Sequence, residues 1–176
     1  MLNDLIQTTL NIVQEYGHLA PLIAFALSFC ESLAFLSLLA PATTILIGMG
    51  ALIGVANLDF LTIWISATFG AFLGDWVSYW LGRRYKKQIL NIWPLNKYPD
   101  MARNGELFFQ RWGTWSVFIG RFWGPLRAIV PLMAGIMNLP QVLFQLANFA
   151  SAAIWAFAML APGAFALNVS WLDWIK

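Results

Sequence analysis

The chain has 176 residues, of which 60% are apolar and 10% are charged, and its mean hydropathy is +0.70. These values lie outside the usual balance of a soluble globular domain, so an integral membrane protein is expected. The formal charge of +2 is too small to indicate nucleic-acid binding. Because no stretch resembles a linker, residues 1–176 are expected to form a single membrane domain.

The first 17 residues predict an amphipathic helix that lies in the membrane interface. Its apolar side chains fall on roughly one helical face and are Leu2, Leu5, Ile6, Leu10 and Val13. The stretch contains acids but no Lys or Arg, so a cleaved secretory signal is not expected.

A broken apolar region comes next. Residues 19–30 are uncharged but too few for a span of about 20 residues, and they end at Glu31. The polar or helix-breaking residues of the following run are Pro41, Thr43 and Thr44, with three glycines. Carbonyls freed by a proline are tolerated at membrane depth only where protein or a watery cavity satisfies them. The region therefore predicts a re-entrant helical hairpin, with a Pro-kinked pair of spanning helices as the alternative.

Residues 58–81 predict the first full span, with Asp59 at its mouth and Asp75 in its last two turns. Seven of the ten Lys and Arg residues lie in 83–111, which is therefore predicted to be cytoplasmic. Within this basic segment, residues 101–112 predict a short amphipathic helix.

The second half of the chain repeats this order. Its broken apolar stretch carries Arg121 and Arg127 and the helix-breaking residues Gly124, Pro125 and Pro131. Residues 139–160 then predict a second full span, ended by Pro162 and Gly163. Because a hairpin plus one span makes each half cross once, the two halves must insert in opposite senses.

The predicted fold is accordingly an all-α integral membrane protein built as an inverted repeat. Each half has an interfacial amphipathic helix, a re-entrant helical hairpin and a transmembrane helix. The halves cover about 1–82 and about 101–165, and the basic cytoplasmic loop 83–100 joins them. The hairpin tips are expected to meet near the midplane.

Four ionisable residues are predicted at membrane depth: Glu31, Asp75, Arg121 and Arg127. A charge there costs at least about 2.5–3.5 kcal/mol, so such groups are usually paired and often line a transport path. We expect Glu31 to face both arginines. Arginine suits bidentate phosphate binding, and a buried Glu31 suits proton coupling.

Structural roles compete with these functional ones. The two arginines are alternatively expected to reach the cytoplasmic headgroups, and Glu31 to form a purely structural pair. Asp75 is alternatively expected to cap its helix or to pair with Arg83 or Arg84.

No enzyme chemistry is predicted. There is one histidine, His18, and no spacing of His, Cys and acidic residues that would hold zinc or iron, so no metal is expected. The absence of a Gly-rich phosphate loop with Lys argues against ATP use. No cofactor is expected. The single Cys30 cannot form an internal disulfide and is predicted to be a packing residue.

The run "FIGRFWGPLRAIVPLMAG" (118–135) resembles the signature of the DedA family, part of the SNARE-associated Golgi or VTT-domain superfamily. Supporting runs are "FCESLAF" (29–35), "GAFLGDWVSYWLGRR" (70–84) and "NFASAAIW" (148–155). The resemblance covers roughly residues 20–163. Many members of the family continue with a further transmembrane helix where this chain ends.

The resemblance implies a multi-pass protein of the bacterial inner (cytoplasmic) membrane that flips or scrambles lipids. Glu31, Arg121 and Arg127 fall on positions needed in many members. The run "LAPATTIL" (39–46) has Thr43 where many relatives have a second acid, which is typical of a branch of the family. Thr cannot titrate in this range, so proton coupling would rest on Glu31 with Asp75 as a helper.

The leading hypothesis is a lipid flippase or scramblase for a phosphate-bearing lipid, undecaprenyl phosphate or a phospholipid, with proton coupling left open. The headgroup would move along a polar groove bordered by Thr43, Thr44 and Asn148. The alternatives are a proton-coupled transporter of a small ion or solute and a structural membrane scaffold. The expected partners are membrane lipids, with protons and a homo-oligomer open and no nucleic acid.

Overall fold

A computed structural model of the chain describes residues 16–33, 42–56, 58–86, 88, 99–123 and 126–166. Within these ranges the protein is helical and contains no strand, as expected for an all-α fold. A 3-10 turn at Gly17–Leu19 precedes the helices, which are α1 (Ala20–Ser32), α2 (Ala42–Ala56), α3 (Phe60–Tyr85), α4 (Pro99–Trp112), α5 (Trp115–Gly120), α6 (Leu126–Ile136) and α7 (Gln141–Ala166). The predicted interfacial helix at 1–17 lies almost wholly outside the described residues.

Helices α3 and α7 are long and apolar enough to cross a membrane. Each has 26 residues, a length of about 39 Å against a hydrocarbon core of about 30 Å. Both helices begin two residues after the predicted starts and continue beyond the predicted ends of the spans. The prediction that Pro162 and Gly163 end the second span is wrong, because α7 continues to Ala166. Gly163 packs directly on the backbone of Gly50 in α2, and this close packing holds the last turn.

Asp59 begins α3 as its N-cap. The carboxylate accepts hydrogen bonds from the amides of Leu61, at 3.3 Å, and Thr62, at 3.1 Å, and from the Thr62 hydroxyl. These bonds satisfy amides that have no partner inside the helix. The hydroxyl of Thr62 contributes most, and together with the amides it holds the pKa of Asp59 below its usual range.

Helices α3 and α7 run antiparallel. Three hydrogen bonds set their register: Trp64 Nε1 to the Ala153 carbonyl at 2.9 Å, Asn148 Nδ2 to the Phe72 carbonyl at 3.0 Å, and Tyr79 Oη to the Leu139 carbonyl at 2.6 Å. As the residue number rises along α3, the partner's number falls along α7. The two long helices therefore run through the fold in opposite directions.

Helix α1 packs along α3 through glycines. A Cβ at Gly74 would lie 2.6 Å from the carbonyl oxygen of Phe29, so only glycine allows this approach. The buried face of α1 carries Ala20, Ala24, Ser28, Glu31 and Ser32. The packing prediction for Cys30 is wrong, because Cys30 lies beside this face and is exposed.

The shorter helices α2 and α6 each pack on the long helix of the other half. Gly50 of α2 and Gly163 of α7 meet at one contact, and Gly82 of α3 and Gly135 of α6 meet at the other. At both contacts an added Cβ would collide with backbone atoms of the neighbouring helix. The two halves are thus joined crosswise by two close glycine contacts.

Helix α4 confirms the amphipathic helix predicted at 101–112. Gly105 sits over Ile129 of α6, where a Cβ would lie 2.6 Å from Cγ2 of that residue. Leu107 and Trp112 remain exposed. This helix therefore covers one side of α6 while keeping an apolar surface outside.

Candidate functional site

The four charged residues predicted at membrane depth come from four separate segments. Glu31 ends α1, Asp75 lies within α3, Arg121 follows α5 directly, and Arg127 is the second residue of α6. The structure joins them in two ion pairs, Arg121 with Asp75 and Arg127 with Glu31. We call this group the charged cluster.

The first pair is held by an amide side chain. Arg121 Nη2 donates to Asp75 Oδ2 and also to Asn148 Oδ1 at 2.7 Å. Asn148 Nδ2 in turn donates to the Phe72 carbonyl, so both ends of the amide are engaged. Arg121 and Asp75 are each 4% exposed and Asn148 is fully buried. Asn148, predicted as a groove residue, thus positions one guanidinium.

The second pair is stacked on an aromatic ring. Arg127 Nη1 donates to Glu31 Oε1 at 2.6 Å, and the guanidinium carbon lies 4.4 Å from the centroid of the Trp155 ring. Such a cation–π contact is strongest where water is excluded. Trp155, at 3% exposure, is a member of the site that was not predicted from the sequence.

A signal for Trp155 was present in the sequence. It follows Asn148 by seven residues, two helical turns, so both residues lie on the same face of α7. Ser151 and Ala152 between them are also buried. The position of Trp155 on the same helical face as Asn148 therefore indicated that it would lie near the site.

Each guanidinium keeps one buried nitrogen without a hydrogen-bond partner among the described residues. These atoms are Arg121 Nη1 and Arg127 Nη2. The side chains are 3% and 11% exposed, so water access is small. A buried donor without a partner costs about 1–3 kcal/mol, and more when it is charged. The cluster therefore has spare donors that a ligand with several oxygen acceptors would satisfy.

The two pairs form one electrostatic unit. Arg127 interacts with Glu31 and also, through space, with Arg121 and Asp75. With both acids ionised, the formal charges of the cluster sum to zero. An added anion would leave this unit with excess negative charge.

The depth of the cluster can be measured along both long helices. Asp75 lies ten residues, about 15 Å, before the end of α3, and Asn148 lies seven residues, about 10 Å, after the start of α7. Because these helices are antiparallel, both distances start from the end that carries Arg83 and Arg84. The cluster therefore lies well inside the helical body.

Two expectations for Asp75 are wrong. Asp75 is not within the last two turns, because α3 continues to Tyr85, and it pairs with Arg121 rather than with a neighbouring arginine. Arg83 instead donates to the Tyr79 hydroxyl at 3.1 Å. The interhelical partner prevails because Asp75 is on the buried face of α3, whereas Arg83 and Arg84 are exposed.

The interruption predicted between the two arginines is present. Helix α5 ends at Gly120 and α6 begins at Leu126. Pro131, predicted as a hairpin break, instead lies buried inside α6, so the helix does not break there. A proline at this position leaves the carbonyl of Arg127 without its usual amide partner, a cost that the buried packing of α6 offsets.

The remaining predicted groove residues lie at the edge of the described structure. Pro41, Gly124 and Pro125 are outside the described residues. Thr43 and Thr44 lie in the first turn of α2, and the structure describes their backbone only. In the described ranges, no three His, Cys, Asp or Glu residues are grouped so as to hold a metal ion.

Comparison with known proteins matches residues 40–165 to the VTT domain. The inner membrane protein YabI of Escherichia coli K12 is 35% identical over 139 residues, 79% of this chain and 55% of that protein. YghB of the same strain is 31% identical over 151 residues, 84% and 67%. Undecaprenyl phosphate transporter A of Staphylococcus aureus is 28% identical over 130 residues, 70% and 64%.

The chain spans about half the length of several curated relatives that it matches, 54–56% for four of them. No solved structure matches.

Proposed function

The chain belongs to the VTT-domain (DedA) family of membrane proteins, and we propose that it moves a phosphate-bearing lipid across the bacterial inner membrane. In this proposal Arg121 and Arg127 bind the lipid phosphate. Undecaprenyl phosphate and phospholipids are the substrates considered. The similarity to undecaprenyl phosphate transporter A of Staphylococcus aureus supports this class of substrate.

The observation that carries the proposal is the pair of spare guanidinium nitrogens. Arg121 and Arg127 each use one terminal nitrogen for an acid, while the other is buried without a partner among the described residues. Phosphate offers several oxygen acceptors and matches the planar fork of arginine. In this proposal the bound headgroup accepts hydrogen bonds from these two nitrogens while both ion pairs stay in place.

Charge balance suggests how protons enter the cycle. The cluster without lipid is neutral, so an anionic phosphate adds uncompensated negative charge in a medium of low dielectric constant. Proton uptake on Glu31 or Asp75 would restore neutrality. Glu31 is the stronger candidate, since Asn148 shares Arg121 with Asp75 and ties that pair to the backbone. Coupling to the proton gradient follows from this exchange.

The same proposal includes two re-entrant hairpins related as an inverted repeat. Helices α1, α2 and α6 have 13, 15 and 11 residues, lengths of about 16–23 Å that fall short of the hydrocarbon core. The antiparallel long helices and the two crosswise glycine contacts support opposite insertion of the halves. With the basic segment cytoplasmic, the first hairpin would enter from the outer face and the second from the inner face.

Reconstitution into vesicles tests the function. A fluorescent phosphatidylglycerol placed in both leaflets is bleached from outside, and the slower bleaching phase reports movement across the bilayer. We expect Arg127→Lys to slow this movement about tenfold or more, because lysine keeps the charge but not the fork that reaches Glu31 and the phosphate together. Arg111→Lys, at an exposed site on α4, is the matched control and should leave the rate unchanged.

Three results would separate the candidate functions. Loss of lipid movement in the Arg127 variant with normal folding supports the proposal. Unchanged lipid movement with loss of a vesicle pH signal would favour a proton-coupled solute transporter. A variant that only lowers yield and melting temperature, with normal lipid movement per folded molecule, would favour a scaffold.

A further inference from the structure

A feature separate from the charged cluster lies on the exposed surface of α3, toward the C-terminal end of that helix. Two adjoining depressions, each of about 340 Å³, share the side chains of Trp76 and Trp80. One is apolar and is completed by Leu73 and Val77. The other is bordered by Tyr79, Arg83, Arg84 and Gln141. We call the two together the α3 groove.

Helical spacing explains why these side chains form a line. The side chains of the groove recur at helical spacing and therefore share one face of α3. They are Leu73, Trp76, Val77, Trp80 and Arg84. Trp76, Val77 and Trp80 are 39%, 38% and 55% exposed. Since α3 is a candidate span, this apolar face meets acyl chains rather than water.

The basic end of the groove is partly preorganised. Arg83 donates from Nη1 to the Tyr79 hydroxyl, and Tyr79 donates to the Leu139 carbonyl just before α7. Tyr79 also stacks on Phe144 with ring centroids 4.2 Å apart. The Arg83 guanidinium is thereby held over the junction of α3 and α7. Gln141, the first residue of α7, adds an amide and the positive end of that helix.

We propose that the α3 groove binds one anionic phospholipid, with its phosphate at Arg83 and Arg84 and an acyl chain along Leu73, Trp76, Val77 and Trp80. A zwitterionic lipid would fill the apolar part but would not balance two guanidinium groups. The apolar part likewise disfavours a free phosphate ion, which has no tail to bury there. This binding does not depend on the proposed transport function, because no residue of the charged cluster lines the groove.

Counting bound lipids by native mass spectrometry tests the proposal. The full chain in detergent is titrated with phosphatidylglycerol and, separately, with phosphatidylcholine. Each basic residue near anionic lipid contributes roughly fivefold in affinity, so the double variant Arg83→Gln/Arg84→Gln should bind phosphatidylglycerol about 30-fold more weakly. The charge-matched double variant Arg103→Gln/Arg111→Gln, on exposed positions of α4, should lose less than about threefold.

A second variant tests the tail. Val77→Trp fills the apolar part without changing charge, so it should weaken phosphatidylglycerol binding about tenfold or more. Inorganic phosphate at a large excess should not displace the lipid.

The proposal is overturned if both double variants lose affinity equally, which would indicate diffuse surface charge. It is also overturned if phosphatidylcholine binds the native groove as tightly as phosphatidylglycerol. Displacement by inorganic phosphate together with full binding to Val77→Trp would assign the site to a free anion instead.

Discussion

Exchanging Glu31 and Arg127 for glutamine, singly and together, measures the coupling energy between these two residues of the charged cluster. Arg127→Gln removes the 2.6 Å hydrogen bond to Glu31 and the contact at 4.4 Å with the Trp155 ring. Glu31 is only 5% exposed and would lose its ion pair with Arg127. Breaking a buried ion pair costs about 3–5 kcal/mol, and we expect a loss of this size.

Glu31→Gln should cost less, about 1–3 kcal/mol, because the glutamine amide oxygen can still accept the Arg127 hydrogen bond and the contact with the Trp155 ring remains. The double variant leaves neither charge and should lie within about 1–2 kcal/mol of the native chain. The predicted coupling energy is therefore at least about 2 kcal/mol.

The assay measures unfolding in mixed micelles as the concentration of a denaturing detergent is increased, and tryptophan fluorescence reports the folded fraction. A second cycle combines Glu31→Gln with Arg111→Gln, which lies on the exposed face of α4 over Trp112. Those two changes should add within about 0.5 kcal/mol. A Glu31–Arg127 coupling no larger than this control would refute the reasoning that the pair is a buried electrostatic unit.

Further outcomes follow from the packing and from the caps. Gly135→Ala should destabilise the chain by about 1–3 kcal/mol, because its Cβ would lie 2.8 Å from the Arg83 amide nitrogen. Gly48→Ala, with nothing within 4 Å, should be neutral or slightly stabilising in the same unfolding assay, and equal losses would contradict the glycine contact. Trp155→Leu should slow lipid movement more than Trp155→Phe, which retains a ring, and identical rates would argue against the cation–π contact. Because the pKa of Asp59 is lowered, its stabilisation is complete above its unfolded pKa of about 3.9 and is lost as the pH falls through the lower folded value. When unfolding of the Asp59→Asn variant is measured over the same pH range, its stability should not show this loss at low pH.

The predictions that succeeded depended on composition and on spacing along the chain. Low charge and high hydropathy indicated a membrane protein, and the apolar runs gave α3 and α7 to within a few residues at their starts. The interruption between Arg121 and Arg127 followed from helix breakers between them. The four ionisable residues of the apolar stretches, which the structure joins in two buried ion pairs, stood out in the sequence because charges in apolar runs are expensive.

The predictions that failed concerned competition between local preference and packing. Pro131 and Pro162 were expected to end helices, yet α6 and α7 continue through them. Asp75 had basic neighbours on its own helix, yet it pairs across the fold with Arg121. Cys30 was expected inside and lies outside the buried face of α1. For the two prolines and Asp75, packing or pairing with another helix decided the outcome.

The sequence by itself determined that this chain is a membrane protein and singled out the four charged residues of its apolar stretches, because hydropathy and the high cost of an isolated charge in an apolar run both follow from residue type. Only the tertiary structure decided which acid meets which arginine, that Asn148 and Trp155 hold the two guanidinium groups, and that each keeps a spare donor. Those facts depend on how closely the helices approach one another. Glycine contacts set the approach of α1 and α6 to α3, and the spacing of residues along one helix does not encode them.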